Sequence, residues 1–371
     1  MPRQVGGTEI YARQLVRELA LARPDVEWIV FAAGEAAPSL AGEGWPDAVR
    51  IVRVPVNAES KPARVGFELA RLPALAAREG VDLLHSFGTT SPLHGPGPRV
   101  VTIHDLIYHH YSGDFPLASR LGLEALVPLG AHRARRVVVP SEATKRDVVR
   151  LCRVRAEKVD VVPLGPGMGS FDPTPEPELR ERLDLGEAPV VLTVSPPLPH
   201  KNLDRLLEGH ALLGDMTPAP LLVLVGHAGR ERERLRARIA DLGVEERVRV
   251  TGWISDEDLE GLYRMADCCA YPSLYEGFGL PVLEAMLRGT PLACSDATSL
   301  PEVAGEAAEL FDPTDAGAIA AAVRRLLDDR AHAADLVERG RRRAERFSWQ
   351  RTARETLASY ERALNGRHSG R

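Results

Sequence analysis

The amino-acid sequence predicts an α/β protein with two doubly wound domains. Short apolar runs, typical of buried parallel strands, alternate with amphipathic helical stretches along the chain, and this alternation is the pattern of β-α-β units. The length of 371 residues suits two such domains better than one. A stretch rich in proline and glycine interrupts this alternation near the middle of the chain. We therefore predict one domain at 1–165, a linker at 166–188, a second domain at 189–348 and a closing helix at 349–366.

Apolar runs in the first half of the chain predict its strands. A helix with an apolar face opens at Gly6-Gly7-Thr8-Glu9, and a second helical pattern covers 65–79. A glycine pair at a helix start can admit a phosphate, but it also fits a plain tight turn. The predicted strands are 26–31, 51–56, 82–86, 100–105, 137–142 and 158–163.

The start of the chain departs from this pattern. Only residues 1–5 precede the glycine pair, which is too short for a strand and its turn. In a doubly wound domain the glycine loop follows the first, central strand. We therefore expect a sheet that lacks this strand or takes residues 1–5 into part of its place. From this we predict that Met1 is an internal start and that the natural chain begins roughly ten to fifteen residues earlier.

The second half of the chain repeats the alternation of strands and helices. Its Asp256-Glu257-Asp258 is an Asp-x-Asp sequence, which could ligate a divalent metal. Ser255, three residues before Asp258, predicts a helix cap instead, and we favour the cap. The predicted strands are 190–195, 221–225, 248–254 and 266–273, and the clearest helices are 315–327 and 347–360.

Composition disfavours several classes of protein. The formal net charge is −5, which argues against nucleic acid as a partner. The four cysteines have no CxxC spacing, so we expect no structural zinc and a reducing compartment. No apolar run approaches the roughly 20 residues of a membrane span, and no signal peptide is visible. We therefore expect a cytoplasmic protein.

The stretch from Glu276 to Glu284 carries the strongest local pattern. The run 266–273 predicts a buried strand, so Glu276 should lie in a glycine-rich loop at the carboxyl tip of that strand. Pro281 suits the first turn of a helix and Gly289 suits its end, which places Glu284 in that first turn. A helix N-terminus can bind phosphate without a metal, and ionised carboxylates accept hydrogen bonds from sugar hydroxyls. Ordinary acids near a helix start would give the same spacing.

His104 ends the apolar run 100–105 together with Asp105. Ligands of doubly wound sheets bind beyond the carboxyl ends of the strands, which is where His104 should lie. A lone histidine is nevertheless more often structural than catalytic. Asp105 can either orient the histidine or cap the following turn. His109 and His110 are interpreted as loop residues on the acceptor side.

Two basic features remain open to more than one interpretation. Lys201 lies where the predicted strand 190–195 gives way to a helix, and a cation there can meet a diphosphate, although most lysines are merely solvated. The segment 117–136 is amphipathic and basic. We favour a surface helix for it, and the alternative is a surface that meets anionic lipid headgroups or a lipid-linked diphosphate.

The residues of these motifs resemble those of a known family. Tyr275-Glu276-Gly277-Phe278-Gly279-Leu280-Pro281 through Glu284-Ala285 resembles the E-x7-E signature of retaining glycosyltransferases of family 4, also called group 1. Thr102-Ile103-His104-Asp105-Leu106 is similar to the histidine motif of the family's N-terminal domain, and Pro199-His200-Lys201-Asn202 to its Pro-Arg-Lys-Asn segment. The resemblance covers nearly the whole chain. It implies the GT-B fold, in which two Rossmann-like domains face each other across a cleft and a C-terminal helix crosses back to the first domain.

The resemblance also implies a role for each matched residue. Glu276 would bind donor-sugar hydroxyls, Glu284 the ribose, and Lys201 with the glycine loop the departing diphosphate. The expected catalytic residues are His104, which contacts the transferred sugar, and Glu276. The expected donor-binding residues are Gly6, Gly7, Lys201, Gly277, Phe278, Gly279, Leu280 and Glu284. No metal and no cofactor is expected beyond the nucleotide-diphosphate sugar, which is a co-substrate.

Two departures from the family pattern favour a rival function. His200 replaces the usual arginine, and Pro196 stands where some relatives carry a second phosphate-binding arginine. Lys201 then neutralises more of the negative charge of the diphosphate, or another cation such as Arg230 contributes. These departures and the missing strand slightly favour a non-catalytic sugar-nucleotide- or glycan-binding protein on the same fold. A phosphorylase is disfavoured because no lysine motif for a pyridoxal cofactor is visible.

The combination of the matched residues favours the enzyme over these rivals. The resemblance implies a retaining glycosyltransferase that moves a hexose, with mannose favoured, from a nucleotide-diphosphate sugar to a glycan or lipid-linked acceptor without a metal. Cell-surface polysaccharide synthesis in a bacterium is the expected setting. The expected partners are the sugar nucleotide, the acceptor and, by peripheral contact, the inner face of the membrane, with no nucleic acid.

Overall fold

The structure of the protein is a computed structural model that describes residues 7–34, 44–57, 60–167, 169, 171–226 and 231–365. The chain forms two compact units. Unit 1 contains Met1–Gly165 together with Phe347–Arg371, and unit 2 contains Pro166–Arg346. Residues 1–6 and Arg230, which carry some of the expectations above, lie outside the described residues.

Unit 1 contains the strands expected from its apolar runs, each shifted by a few residues. The helical pattern at 65–79 forms two helices, because Pro73 in the first turn of the second helix has no N–H to continue the first. The elements are α1 Gly7–Ala22, β1 Trp28–Ala33, β2 Val49–Val54, α2 Lys61–Ala70, α3 Leu72–Arg78, β3 Leu84–Ser86, β4 Arg99–Thr102, α4 Ile107–His110, α5 Leu117–Arg133, β5 Arg136–Val139, α6 Glu142–Cys152 and β6 Val159–Val161, and, after unit 2, α15 Trp349–Asn365.

The strands of unit 1 are parallel and form two separate sheets. β1 pairs with β2, and a four-stranded sheet has the order β3-β4-β5-β6. Within the described residues no strand joins the two sheets, and residues 1–5, which carry the prediction of a missing strand, lie outside the described residues. Val101 of β4 and Val137 and Val139 of β5 lie in a buried core with residues of α5 and α6. α15 packs against α1, where the buried ring of Tyr11 lies 6.0 Å from that of Trp349.

Unit 2 is a second α/β layer. Among the described residues, four of its six strands occur where the apolar runs predict them, and the strands at Leu292–Ser295 and Glu309–Phe311 were not predicted. Its core is formed by buried aliphatic residues of the strands and of the helices that cover them. The elements are α7 Glu176–Arg182, β7 Val190–Val194, α8 Leu203–Ala211, β8 Leu221–Val225, α9 Arg232–Asp241, β9 Val248–Gly252, α10 Asp256–Met265, β10 Cys268–Tyr271, α11 Leu280–Arg288, β11 Leu292–Ser295, α12 Leu300–Ala304, β12 Glu309–Phe311, α13 Ala316–Asp328 and α14 Arg330–Ala344.

The sheet of unit 2 reverses its winding direction between two neighbouring strands. Its parallel strands have the order β12-β11-β10-β7-β8-β9. The chain therefore winds outward from β7 to β9 on one side and from β10 to β12 on the other. A crevice opens at such a switch point, beyond the carboxyl ends of the two central strands, and this is where doubly wound sheets bind ligands.

The segment 166–188, expected as a linker, is largely folded into unit 2. Leu179 of α7 is fully buried, and the Thr174 hydroxyl donates to Asp258 Oδ1 at 2.7 Å. Residues of the expected linker thus contact α10, to which Asp258 belongs. The four cysteines are buried and unpaired. In the described residues no helix is both long enough and apolar enough to cross a bilayer.

Candidate functional site

Two loops of unit 2 meet at the switch point between β7 and β10. The loop after β7 carries Lys201, and the loop after β10 carries Glu276. Lys201 Nζ lies 2.6 Å from Glu276 Oε1. Their side chains are 16% and 17% exposed, so solvent and ligands can still reach the pair. An ion pair at this depth can exchange one partner for a charged ligand without leaving a fully buried charge.

The loop that carries Glu276 is fixed by its backbone. The Glu276 N–H donates to Thr298 Oγ1 at 3.1 Å, and the Ser299 hydroxyl donates to the Glu276 carbonyl at 3.0 Å. Both hydroxyls belong to the segment that links β11 to α12. Because the backbone is anchored on both sides, the Glu276 carboxylate can turn only about its own side-chain bonds.

The loop that carries Lys201 is tied to its neighbours by Asn202. Asn202 lies in the left-handed region, with φ 58, and its amide nitrogen donates to the carbonyls of Pro272 at 3.1 Å and Pro313 at 2.7 Å. These bonds connect the loops after β7, β10 and β12. Next to Lys201, the His200 ring is buried, and burial together with the Lys201 charge lowers its pKa to about 4. The histidine that replaces the usual arginine is therefore neutral near pH 7.

The glycine loop leads directly into helix α11. Gly279, with φ 117, is the residue that caps the helix start, and a side chain there would approach Leu300 Cδ2 to 2.7 Å. Pro281 lies in the first turn and Gly289, with φ 73, ends the helix, as predicted. Glu284, however, lies in the second turn. The prediction of the first turn was wrong, because the left-handed glycine starts the helix at Leu280 and puts Glu284 five residues in.

Glu284 is buried and held by a hydroxyl. Its Oε2 accepts a hydrogen bond of 3.1 Å from the Tyr263 hydroxyl, which lies 3.2 Å from the Tyr271 hydroxyl. Its Oε1 lies 2.6 Å from the place that a Cβ on Gly167 would take. Only glycine at position 167 leaves this carboxylate where it is. Burial raises the pKa of Tyr263, with the Glu284 charge adding to the effect, so the hydroxyl keeps its proton.

A buried ion pair connects helix α11 to helix α10. Arg288 Nε donates to Glu260 Oε2 at 2.7 Å, both side chains being at most 7% exposed. The Arg288 guanidinium also lies 5.1 Å from the centre of the Tyr263 ring and donates to the Glu284 carbonyl at 3.2 Å. Sequence reasoning missed Tyr263, Glu260 and Arg288. One sequence feature could have indicated them. Glu260 lies on the apolar face of the helix predicted after Ser255, and a buried acid needs a partner.

In unit 1 His104 follows the carboxyl end of β4 and is half-buried. Its Nε2 lies 3.0 Å from the Phe87 carbonyl, an acceptor, so the neutral ring carries its proton on Nε2 and presents Nδ1 as an acceptor. Burial lowers the pKa of His104 to about 4. The Tyr11 ring packs edge-on against it at 4.8 Å. The backbone of Phe87, which sequence reasoning missed, thus orients this ring.

Asp105 caps the turn that follows His104. The Ile107 N–H donates to Asp105 Oδ1 at 3.1 Å, which is one of the two roles considered for this residue. His109 and His110 lie on the one-turn helix α4 and not in a loop, because Asp105 starts the helix at Ile107. His110 Nε2 lies 2.7 Å from Asp147 Oδ2. Asp105 and His110 therefore have structural partners within unit 1.

His85 is a second histidine at the same strand edge. Its Nδ1 lies 2.7 Å from the Tyr360 hydroxyl and its Nε2 lies 2.8 Å from Thr102 Oγ1. Thr102 Oγ1 in turn lies 2.9 Å from the Tyr11 hydroxyl. Burial, with a smaller effect of His104, lowers the pKa of His85 to about 3. Sequence reasoning placed His85 at a strand tip but did not find this network, whose members come from both ends of the chain.

Three further predictions concern Gly7, Ser255 and the segment 117–136. Gly7 opens α1 as predicted, and a Cβ there would meet nothing within 4 Å. Ser255 caps α10 by accepting from the Asp258 N–H at 3.1 Å, so the interpretation of the Asp-x-Asp sequence as a helix cap is confirmed. The segment 117–136 forms helix α5 and the start of β5.

Comparison with known proteins assigns both halves of the chain. Residues 5–165 match the family model described as Glycosyltransferase Family 4, and residues 175–343 match the model described as Glycosyl transferases group 1. The MMP alpha-(1->4)-mannosyltransferase of Mycolicibacterium hassiacum is 32% identical over 97% of this chain and 95% of its own length. The O-antigen chain mannosyltransferase B of Escherichia coli is 30% identical over 95% of this chain and 94% of its own length.

Solved structures share the architecture of both units. A sucrose-phosphate synthase from Thermosynechococcus elongatus is 26% identical with a TM-score of 0.74, covering 97% of this chain and 94% of its own. Anabaena HepE in complex with UDP and glucose is 22% identical with a TM-score of 0.72, covering 96% of each chain. Both half-chain models match in order and two relatives of full length are at least 30% identical, so the chain belongs to the group 1 glycosyltransferases of family 4 and has their GT-B fold.

Proposed function

We propose that this glycosyltransferase moves mannose from a nucleotide-diphosphate sugar to a glycan or lipid-linked acceptor, with retention of configuration and without a metal. The observation that carries the proposal is the Lys201–Glu276 pair at the switch point of unit 2, beside the start of α11. It combines a cation for a diphosphate with a carboxylate for sugar hydroxyls in one place.

The diphosphate is proposed to lie between Lys201 and the amino end of α11. A helix start concentrates partial positive charge, and a lysine adds a full charge. Lys201 would leave Glu276 for the phosphate when donor binds. Because these donors are fixed before the reaction, they stabilise the negative charge that develops on the departing diphosphate. This supports a reaction that needs no divalent cation.

The sugar and the ribose are proposed to bind the two carboxylates. Glu276, released by Lys201, would accept hydrogen bonds from the hydroxyls of the donor sugar. Glu284, held by Tyr263, would accept from the ribose hydroxyls. For His104 we propose contact with the transferred sugar, as the family resemblance implies. Its neutral ring suits a hydroxyl partner better than a phosphate.

The proposed reaction is a displacement on one face of the sugar. The bond between the anomeric carbon and the phosphate oxygen breaks, and an acceptor hydroxyl oxygen bonds to the same carbon from the same face. The acceptor proton passes to the departing phosphate oxygen. No side chain of the enzyme forms a covalent bond, since no suitable nucleophile was found among the motif residues.

The choice of mannose and of the setting rests on the relatives. Both full-length relatives described above are named as mannosyltransferases, and one of them acts on an O-antigen chain according to its name. We therefore favour mannose as the sugar and cell-surface polysaccharide synthesis in the cytoplasm as the setting.

Peripheral contact with the inner face of the membrane is part of the proposal. The side chains of Leu117, Leu121 and Leu129 on α5 are 64%, 52% and 47% exposed. Their spacing places them on one face of the helix, and such a face can enter the headgroup region of a bilayer. An acceptor anchored in lipid would then be presented to an enzyme that lies on the membrane.

A donor panel tests the proposal. Purified protein is mixed with GDP-mannose, UDP-glucose and related sugar nucleotides, and thermal stabilisation and release of nucleotide diphosphate are measured. We expect stabilisation by GDP-mannose and slow hydrolysis, with transfer when a mannan oligosaccharide is added, all unchanged by EDTA. Activity that disappears with EDTA and returns with manganese would refute metal independence. Stabilisation without any hydrolysis or transfer would favour the non-catalytic binding protein.

A further inference from the structure

A cavity of about 850 Å³ opens in unit 1 at the edge where the strands of the four-stranded sheet begin. Arg99 is the first residue of β4, Arg136 is the first of β5, and Lys158 directly precedes β6. His104 follows the other end of β4. The cavity therefore lies at the opposite edge of this sheet from His104.

The lining of this cavity is strongly basic. Glu157 is the only acidic residue among the lining residues. The whole chain has a formal net charge of −5, so the accumulation of cations here is a local feature and not a reflection of overall charge. The cationic lining residues are Arg99, Arg133, Arg135, Arg136, Arg155 and Lys158.

Internal partners satisfy only part of this positive charge. Arg136 pairs with Asp160, and Lys158 Nζ donates to the His132 carbonyl at 2.7 Å. Among the described residues the guanidinium groups of Arg133 and Arg155 have no acidic partner. The Nε of Arg99 is buried without an acceptor, although its terminal nitrogen donates to the Arg133 carbonyl at 3.1 Å.

The pKa values of Lys158 and Arg99 reflect both their burial and the cations around them. Burial, together with the smaller effects of the charges of Arg135, Arg136 and Arg99, lowers the pKa of Lys158 to about 8. Burial also lowers the pKa of Arg99, and Arg133 adds to the effect. Cations that depress one another's pKa produce a positive potential that a bound anion would relieve.

We propose that this cavity is a second ligand site, which binds a small phosphorylated molecule with more than one negative charge. A phosphate group accepts several charge-assisted hydrogen bonds, and arginine forks match its geometry. A cavity of this volume is in the range of sites for small molecules, whereas a membrane would need only a flat or convex basic surface. The ligand's phosphates would sit between Arg133, Arg155 and Lys158.

The test measures binding of inorganic pyrophosphate to the full chain by calorimetry. The variant Lys201→Met serves as background, because it removes the diphosphate site proposed for unit 2. In this background the double variant Arg133→Ser/Arg155→Ser should raise the Kd for pyrophosphate about tenfold or more, the effect of losing charged hydrogen bonds. The matched control Arg17→Ser/Arg78→Ser removes two exposed arginines of unit 1 outside the cavity and should leave the Kd unchanged.

A second arm separates a soluble phosphate ligand from a lipid headgroup. The same proteins are sedimented with vesicles of phosphatidylcholine alone or mixed with phosphatidylglycerol. Binding of pyrophosphate that depends on Arg133 and Arg155 supports the proposal. The proposal is overturned if pyrophosphate does not bind, if both double variants weaken binding equally, or if these two arginines are needed only for binding to anionic vesicles.

Discussion

Candidate residues follow the carboxyl ends of strands in both units, but those of unit 2 are charged groups and those of unit 1 are neutral rings. Unit 2 holds charges: Lys201 faces Glu276, and the Glu284 carboxylate is fixed by the Tyr263 hydroxyl. Unit 1 holds neutral rings: burial lowers the pKa of His104 to about 4 and that of His85 to about 3.

The difference follows from what each environment does to a titratable group. In unit 2 an opposite charge or a hydroxyl lies against each carboxylate and compensates for the loss of water around it. In unit 1 no acid lies against the two rings in the contacts above, and burial alone favours the uncharged form. The comparison teaches that Lys201 and Glu276 of unit 2 suit a charged, phosphate-bearing ligand, whereas His104 and His85 of unit 1 suit hydroxyl groups.

The largest effect is expected from Glu276→Gln. The amide keeps the size of the side chain but loses the charge that binds Lys201 and the sugar hydroxyls. We expect turnover to fall about 10²-fold or more while the fold stays intact. The measurement is kcat with a saturating donor, with circular dichroism to verify folding. Glu306→Gln, at an exposed site of unit 2, is the matched control, and equal rates for the two variants would remove Glu276 from the site.

His104→Ala tests the neutral ring of unit 1. We expect turnover to fall about 10²-fold, because a hydrogen bond to the transferred sugar is lost. With its pKa near 4, His104 stays neutral from pH 5.5 to 8, so the wild-type rate should show no titration of this residue in that range. The rate is measured against pH for both proteins. A wild-type profile with a step near pH 6.5 that vanishes in the variant would contradict a neutral role.

Tyr263→Phe tests how the Glu284 charge is held. The change removes one hydrogen bond to Glu284 Oε2 and keeps the ring under Arg288. We expect the KM for donor to rise about 3- to 10-fold with little change in kcat. Tyr271→Phe is the control, since it leaves the bond between Tyr263 and Glu284 in place. A loss in kcat alone would mean that Tyr263 acts in the chemical step and does not merely position Glu284.

The last prediction concerns stability in acid. A histidine whose folded pKa lies below its unfolded value near 6.5 takes up its proton more readily when unfolded. The free energy of unfolding should therefore fall as the pH drops from about 6.5 towards 4, with His85 among the contributors. His85→Gln should reduce this slope by about 1.4 kcal/mol per pH unit, measured by urea unfolding. The exposed His94→Gln is the control, and an unchanged slope in His85→Gln would contradict a buried neutral ring.

Most of the fold was accessible from the sequence, because strands and helices follow local periodicity. The strand tips that carry His104, Lys201 and Glu276 were predicted, as were the roles of Pro281 and Gly289 in α11. The predictions that failed depended on a single backbone angle or on distant contacts. The left-handed Gly279 moved Glu284 into the second turn, and Pro73 divided one predicted helix into two.

The supporting groups could not be found from local patterns. Tyr263 lies 21 positions before Glu284 and Arg288 lies 28 positions after Glu260, so their bonds appear only when the helices pack. The network of His85 joins residues separated by 275 positions. The residues proposed to bind the sugar and the diphosphate, His104, Lys201 and Glu276, occur in short motifs after strands, whereas the residues that orient them are spread through the chain.

Unit 1 consists of two pieces of chain that are separated by all of unit 2. On the ribosome, residues 166–346 emerge before α15, so unit 2 can complete its sheet while unit 1 still lacks its last helix. Until α15 arrives, Tyr11 and His85 have neither Trp349 nor Tyr360 against them. The domain whose synthesis begins first is therefore completed last, and a nascent chain passes through an interval in which unit 1 lacks its contacts with α15.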